Sequence, residues 1–161
     1  MERDKRMNEH DVRSISILLV EDDHGHARLI EKNLRRAGIS NRIFHCDDGQ
    51  KAVNFLLKER NDQDEGQLRL VVLLDLVLPV LDGYEVLRFI KNNEGTKCIP
   101  VIVLTTNDDP DEVSRCYDLG CNLYITKPIE HITKPVEFEQ FSATIQILGN
   151  FLSLVKTPGR A

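Results

Sequence analysis

No apolar run in the sequence approaches the ~20 residues that cross a bilayer. The first residues, Met1-Glu2-Arg3-Asp4-Lys5-Arg6, lack the apolar core of a signal peptide, so the expected location is the cytoplasm. The four cysteines (Cys46, Cys98, Cys116 and Cys121) form no CxxC pair, and thiols there stay reduced and read as small buried side chains. A basic excess is missing too: 21 Lys and Arg against 26 Asp and Glu leave a net charge of −5. Neither a nucleic acid nor a membrane is therefore an expected partner. What remains is 161 residues of ordinary globular composition, enough for one domain with a full core.

The most informative stretch is Val71-Val72-Leu73-Leu74-Asp75-Leu76-Val77-Leu78-Pro79-Val80-Leu81-Asp82-Gly83. Its uncharged opening fits a strand buried on both faces of a parallel sheet. Asp75 then puts a carboxylate where the run should end. A buried, unpaired carboxylate costs several kcal/mol, so one held at a strand's carboxyl end has a purpose. Pro79 and Asp82-Gly83 mark a loop, and Tyr84 to Ile90 takes up a helical period to about Asn93.

The other segments follow the same alternation. Residues 1–13 read as a flexible arm, 14–156 as the domain and 157–161 as a tail. Ser14 to Val20 is a strand ending in Glu21-Asp22-Asp23; a helix follows with Ala27, Ile30, Leu34 and Ala37 on one stripe and Gly38 as its stop. Arg42 to Cys46 is a short strand. Asp48 caps a helix whose Val53, Leu56 and Leu57 face the core. After the polar loop 61–66 come the Asp75 strand and its helix, then a buried strand from Pro100 to Thr106. Asp109-Pro110-Asp111-Glu112 carries a cap, a first-turn proline and a glutamate at the capping-box position, opening a helix that stops at Gly120. Asn122 to Thr126 is a fifth strand, leading to Lys127-Pro128, and a fifth helix runs from near Pro135 to Val155. Five strands alternating with five helices predict a flavodoxin-like, doubly wound α/β fold with a parallel sheet in the order 2-1-3-4-5.

Ile125-Thr126-Lys127-Pro128-Ile129-Glu130-His131 is followed at once by Ile132-Thr133-Lys134-Pro135-Val136-Glu137-Phe138, a tandem duplication that offers two candidate lysines. In the last helix, Phe138, Phe141, Ile145, Leu148, Leu152 and Val155 suffice to bury one face. Ile147, Phe151 and Leu154 form a second stripe turned by about 100°. Such a stripe predicts a homodimer through this helix, unless the loop at Glu130-His131 folds over it.

In a 2-1-3-4-5 sheet the crevice lies between strands one and three, which gathers Glu21, Asp22 and Asp75. Two carboxylates about 4 Å apart repel by roughly 4 kcal/mol at an effective dielectric near 20, so three of them need a cation. An all-oxygen, partly hydrated site suits Mg²⁺ or Mn²⁺. His24 and His26 follow the acids closely but are expected on a solvent-facing helix start. Strands four and five end at the same edge with Thr105, a hydroxyl donor, and Lys127, a fixed positive charge. Acids, a cation, a hydroxyl and a lysine around one carboxylate are the parts for moving a phosphoryl group onto an aspartate. A phosphatase with an aspartate nucleophile would want a second acid two residues on, where Val77 stands. A nucleotide or flavin binder would want donors or glycines after strand one, where Glu21-Asp22-Asp23 repel phosphate.

With those residues in place, the chain resembles a response-regulator receiver domain of two-component signalling from about Ile15 to Val155. Glu21-Asp22 match the acidic pair, Asp75 the phosphoacceptor, Thr105 the switch hydroxyl, Tyr124 the switch aromatic and Lys127-Pro128 the site lysine with its proline. The intervals fit: 105 − 75 = 30 residues from Asp75 to Thr105, and 127 − 75 = 52 to Lys127. The resemblance implies a Mg²⁺ site of Asp22, Asp75 and the Val77 carbonyl, with Glu21 acting through water, and a histidine kinase as phosphodonor. Asp22 to Leu29, Leu104-Thr105-Thr106 and Phe138-Glu139-Gln140-Phe141 are similar to stand-alone receivers that pair with bacterial phytochromes. The duplication departs from the pattern; Lys127 is preferred over Lys134 because Tyr124 and a strand lead into it. No output module is expected, so phosphorylation would act through protein contacts of the receiver itself. The rival expectation is a receiver-like interaction module that no longer takes phosphate.

Overall fold

A computed structural model describes residues 15–36, 38–61, 69–127 and 143 of the chain. Five strands, β1 (Ile15–Val20), β2 (Ile43–Cys46), β3 (Arg69–Leu74), β4 (Val101–Thr105) and β5 (Leu123–Thr126), pair in parallel in the order β2-β1-β3-β4-β5. The expected sheet is therefore present, with its order reversing between β1 and β3. Four helices are described: α1 (His24–Arg36), α2 (Gly49–Asn61), α3 (Gly83–Asn92) and α4 (Pro110–Asp118). The expected fifth helix, its second apolar stripe, Lys134, the N-terminal arm and the tail lie outside the described residues.

Because strand side chains alternate, the unbroken apolar runs of β1 and β3 feed two cores at once. Leu18, Val20, Val72 and Leu74 point to one face, where Ala52 and Leu56 of α2 and Val86, Leu87 and Ile90 of α3 meet them. Ile17, Leu19, Val71 and Leu73 point to the other, against Ala27, Ile30 and Leu34 of α1. That two-sided burial is why Asp75 was conspicuous in the sequence.

The helix ends follow their local chemistry. Asp48 Oδ1 accepts from the Lys51 N–H at 2.7 Å, and Asp82 Oδ1 from the Glu85 N–H at 2.9 Å, each supplying a first-turn donor with a partner. Gly38 ends α1 at φ +85°, in the left-handed region that costs glycine nothing. Four details differ from expectation. Cys98 is exposed, while Cys46, Cys116 and Cys121 are buried as expected. Leu57 is 38% exposed, because α2 turns by about 100° per residue and Val53 and Leu56 already take the inward stripe. Asn33 joins the buried face of α1, its amide satisfied by the Leu29 carbonyl at 2.9 Å. Asp109 caps α4 by accepting from the Asp111 N–H at 3.0 Å, but its own N–H goes to Asn107 Oδ1 at 2.9 Å rather than to Glu112, so the capping box does not close.

Among the described residues no helix is long and apolar enough to cross a membrane.

Candidate functional site

The register of the sheet builds the site. Val20 of β1 pairs with Leu74 of β3, so Glu21 and Asp75 emerge side by side at the carboxyl edge. The Asp75 N–H still donates to the Val20 carbonyl at 3.0 Å, and the Glu21 N–H to Cys46 of β2 at 3.0 Å. Both backbones are thus anchored by the ladder before their side chains enter the crevice. On the far side, Thr105 pairs with Thr126, and the Lys127 N–H donates to the Thr105 carbonyl at 2.6 Å.

The loop after Asp75 is equally constrained. The Leu81 N–H donates to the Pro79 carbonyl at 2.8 Å across Val80, whose φ of +69° is that of a tight γ-turn. A β-branched residue is rarely found there, so the turn stores strain beside the crevice. Gly83 then brings the start of α3 against the strand end. A Cβ on Gly83 would lie 2.2 Å from the Asp75 carbonyl oxygen and 2.5 Å from the Leu76 Cα. Both obstacles are backbone and cannot step aside. We predict that Gly83→Ala lowers stability by about 2–3 kcal/mol, the upper range for an overpacked site, and displaces the Asp75 peptide. A denaturant titration showing no change would contradict this packing.

The side chains assemble around one ammonium. Lys127 Nζ donates to Glu21 Oε2 at 2.6 Å and to Asp75 Oδ2 at 3.1 Å, and lies 3.2 Å from His26 Nδ1. Lys127, Glu21 and Asp75 are all buried, whereas Asp22 is exposed at the mouth. Burial raises the Glu21 carboxyl to about 7; Lys127 pulls it down and the Asp75 charge pushes it up. Glu21 Oε1 also accepts from the Asp23 N–H at 3.2 Å.

One oxygen each of Glu21, Asp22 and Asp75 lies within 4.8 Å of the others. An all-carboxylate set suits a hard divalent cation rather than zinc. The buried Glu21 gives an independent sign of fit: a carboxyl driven upward by desolvation and by a neighbouring carboxylate gains from added positive charge. Lys127 supplies one such charge, and Asp22 faces solvent where a partly hydrated ion is accessible.

The remaining candidates fall around this centre. Thr105 is 1% exposed at the end of β4, and among the described residues its hydroxyl has no hydrogen-bond partner. Tyr124 is half-buried, and its hydroxyl donates to the carbonyl of Asn107 in the loop after β4. Burial pushes that phenol up to about 12, so it stays a donor. Val77 is 72% exposed, with its N–H 3.4 Å from Asp75 Oδ1. Six of the seven expected residues thus fall at the carboxyl edge of the sheet or in the loops leaving it, while Tyr124 sits within β5 opposite Val103 and reaches the loop after β4 through its hydroxyl.

Two contributors were not foreseen. His26 was expected to face solvent, yet it turns inward to Lys127, with its Nδ1 3.7 Å from Glu21 Oε1. His24 does face outward. A histidine three residues after an acid run has no sequence signal that distinguishes these outcomes; the approach of Lys127 from the end of β5 decides it. Gly83 read as a loop marker, and its role as a close-approach position follows from the contact with Asp75.

The family model for the response regulator receiver domain matches residues 17–137. The chain is a response-regulator receiver. Its similarity extends to the probable methanogenesis regulatory protein FilR2 of Methanothrix harundinacea, 39% identical over 90% of this chain and 88% of that one. Response regulator Rcp1 of Synechocystis is 40% identical over 69% of this chain and 75% of its own. Among solved structures, a receiver domain from Rhodospirillum rubrum superposes with TM-score 0.76 at 44% identity, covering 89% of this chain and 97% of that one. The phosphorylated cyanobacterial phytochrome response regulator RcpA does so with TM-score 0.74 at 33% identity, covering 89% and 98%. The Mn²⁺-bound form of Rcp1 gives TM-score 0.73 at 34% identity, covering 89% and 99%. As a receiver, the chain is a phosphoacceptor of two-component signalling whose upstream partner is a histidine kinase, and its acid cluster suits a divalent cation.

Proposed function

We propose that Asp75 is the phosphoacceptor of this receiver and that the transfer requires Mg²⁺, with Mn²⁺ able to replace it. The observation that carries the reading is the Lys127 ammonium clamped between Glu21 and Asp75 at the point where the strand order reverses. In the reaction an Asp75 carboxylate oxygen attacks phosphorus, an O–P bond forms, and the N–P bond to the kinase histidine breaks. Asp75, Asp22 and the Val77 carbonyl would hold the cation, with Glu21 acting through water. When bound, Mg²⁺ supplies charge that offsets the phosphoryl oxygens as they near the acids. The β1 and β3 ladders hold Glu21 and Asp75 in place, and Lys127 presents an N–H to the incoming group. EDTA should reduce phosphorylation by acetyl phosphate to background, and added Mg²⁺ should restore it. Equal incorporation in EDTA would defeat the metal assignment, and none in any condition would favour a phosphorylation-independent module.

The new phosphoryl group adds charge and three acceptors. The buried Thr105 hydroxyl and Lys127 turn to meet it, and Tyr124 leaves the Asn107 carbonyl to move in behind Thr105. Signalling then passes through protein contacts. The likeness to the phytochrome regulator RcpA supports a phytochrome-type kinase as donor, and phosphotransfer from such a kinase would place the chain in the cytoplasm.

Two further expectations belong to this reading. Val77 stands two residues past Asp75 and cannot orient attacking water by hydrogen bonding, and the Asn107 side chain is engaged with the Asp109 N–H. The phosphoryl group should therefore hydrolyse slowly, and loss of label within seconds in the absence of a phosphatase would contradict it. The chain should also dimerise through the stripe of Ile147, Phe151 and Leu154, which rests on sequence spacing alone. Light scattering should give a dimeric mass at micromolar concentration that Phe151→Asp halves; a monomeric mass in both would remove the dimer.

A further inference from the structure

Lys127 has three N–H donors and no acceptor. Two reach carboxylates, Glu21 Oε2 at 2.6 Å and Asp75 Oδ2 at 3.1 Å. The third neighbour within hydrogen-bond distance is an imidazole nitrogen, His26 Nδ1 at 3.2 Å. Because the ammonium can only donate, Nδ1 must present its lone pair, and the ring proton belongs on Nε2. The opposite arrangement would aim an Nδ1 proton at an ammonium, and Glu21 Oε1, at 3.7 Å, is too far to reward it.

His26 is itself held in position. Its backbone N–H donates to Asp23 Oδ1 at 3.0 Å, and the Asp23 N–H donates to Glu21 Oε1 at 3.2 Å. A closed circuit runs from Glu21 through Asp23, His26 and Lys127 back to Glu21, tying the start of α1 to the end of β5. The His26 side chain is 21% exposed, so this contact lies at the wall of the crevice rather than in open water.

We propose that His26 is a positioning residue for Lys127, the third leg of a tripod that aims one N–H at the phosphoryl group. The proposal rests on Asp75 as phosphoacceptor. Glu21 and His26 hold two of the three donors on one side. The remaining N–H, directed at Asp75 Oδ2, is the one free to turn onto a phosphoryl oxygen when Asp75 is esterified. Without His26 the ammonium pivots about Glu21, and its third proton points nowhere in particular. A misaimed charge at the reacting group slows transfer without changing which residue is modified.

Three variants test this. His26→Ala should slow phosphorylation by acetyl phosphate in Mg²⁺ by about three- to tenfold. His26→Asn, whose side-chain oxygen can occupy the Nδ1 place, should recover most of the rate, whereas His26→Gln, whose oxygen reaches beyond it, should not. A readout independent of activity is the ring ¹⁵N spectrum of metal-free protein. It should show His26 with Nδ1 unprotonated and Nε2 protonated, and Lys127→Ala should move the Nδ1 signal. Equal rates in all three variants, or an Nδ1–H ring, would overturn the proposal while Asp75→Asn still abolished labelling. Labelling that survives Asp75→Asn would instead remove the reading beneath it.

Discussion

Asp75→Asn should take up no phosphoryl group from acetyl phosphate and Mg²⁺, a loss to background. The amide has the shape of the carboxylate but no anionic oxygen to attack phosphorus. It can still accept from Lys127 through its carbonyl, and the ladder bond from its N–H to Val20 is untouched. Removing a negative charge also relieves the repulsion with Glu21. The variant should therefore fold at least as stably as the parent, which separates lost chemistry from lost structure. Labelling at the parental level would mean that the nucleophile lies elsewhere.

Lys127→Ala should produce the second large effect, in two measurements. Glu21 and Asp75 would remain buried and facing each other with no ammonium between them. Removing one partner of a buried ion pair costs about 3–5 kcal/mol, and here the loss is limited because Glu21, already at about 7, can take up a proton. In metal-free buffer the midpoint of thermal unfolding should fall by roughly 5–10 °C. Mg²⁺ should restore more stability to the variant than to the parent, since it replaces a missing positive charge. An equal Mg²⁺ response in both would mean that Lys127 and the cation do not share the acid pocket. The variant should also lose the conformational response to phosphorylation, while Lys134→Ala keeps it. Equal loss in both would show that the duplicated segment had been assigned the wrong way round.

The sequence was most legible where burial on two faces leaves no alternative. From Leu70 onward β3 admits no charge before Asp75, so the first carboxylate marks the strand end and, in a parallel sheet, the crevice. The choice of Lys127 over Lys134 also followed from local logic, because a strand leading into the lysine aims its side chain at the edge. Lys127 reaches Glu21 and Asp75, and Lys134 lies outside the described residues. Other features were not local. His26 looked like a solvent-facing first-turn residue, and it turns inward to Lys127 and Glu21, partners that lie far from it in sequence or across the crevice. Leu57 looked inward by composition, but Val53 and Leu56 had already filled the stripe. Glu112 stood where a capping box wants it, and the competing acceptor, Asn107, belongs to a loop whose path periodicity does not predict. In each case the missing information was the crossing or loop geometry, which depends on residues far away in sequence.

The most direct test of the account is the position of the phosphoryl group itself. Protein phosphorylated with acetyl phosphate and Mg²⁺ can be reduced with borohydride, which converts an acyl phosphate on aspartate to homoserine, then digested and mapped by tandem mass spectrometry. Homoserine is expected at Asp75, absent without Mg²⁺, with Glu21 and Asp22 unmodified. Homoserine at Asp22, or modification at a residue outside the crevice with Asp75 intact, would contradict it.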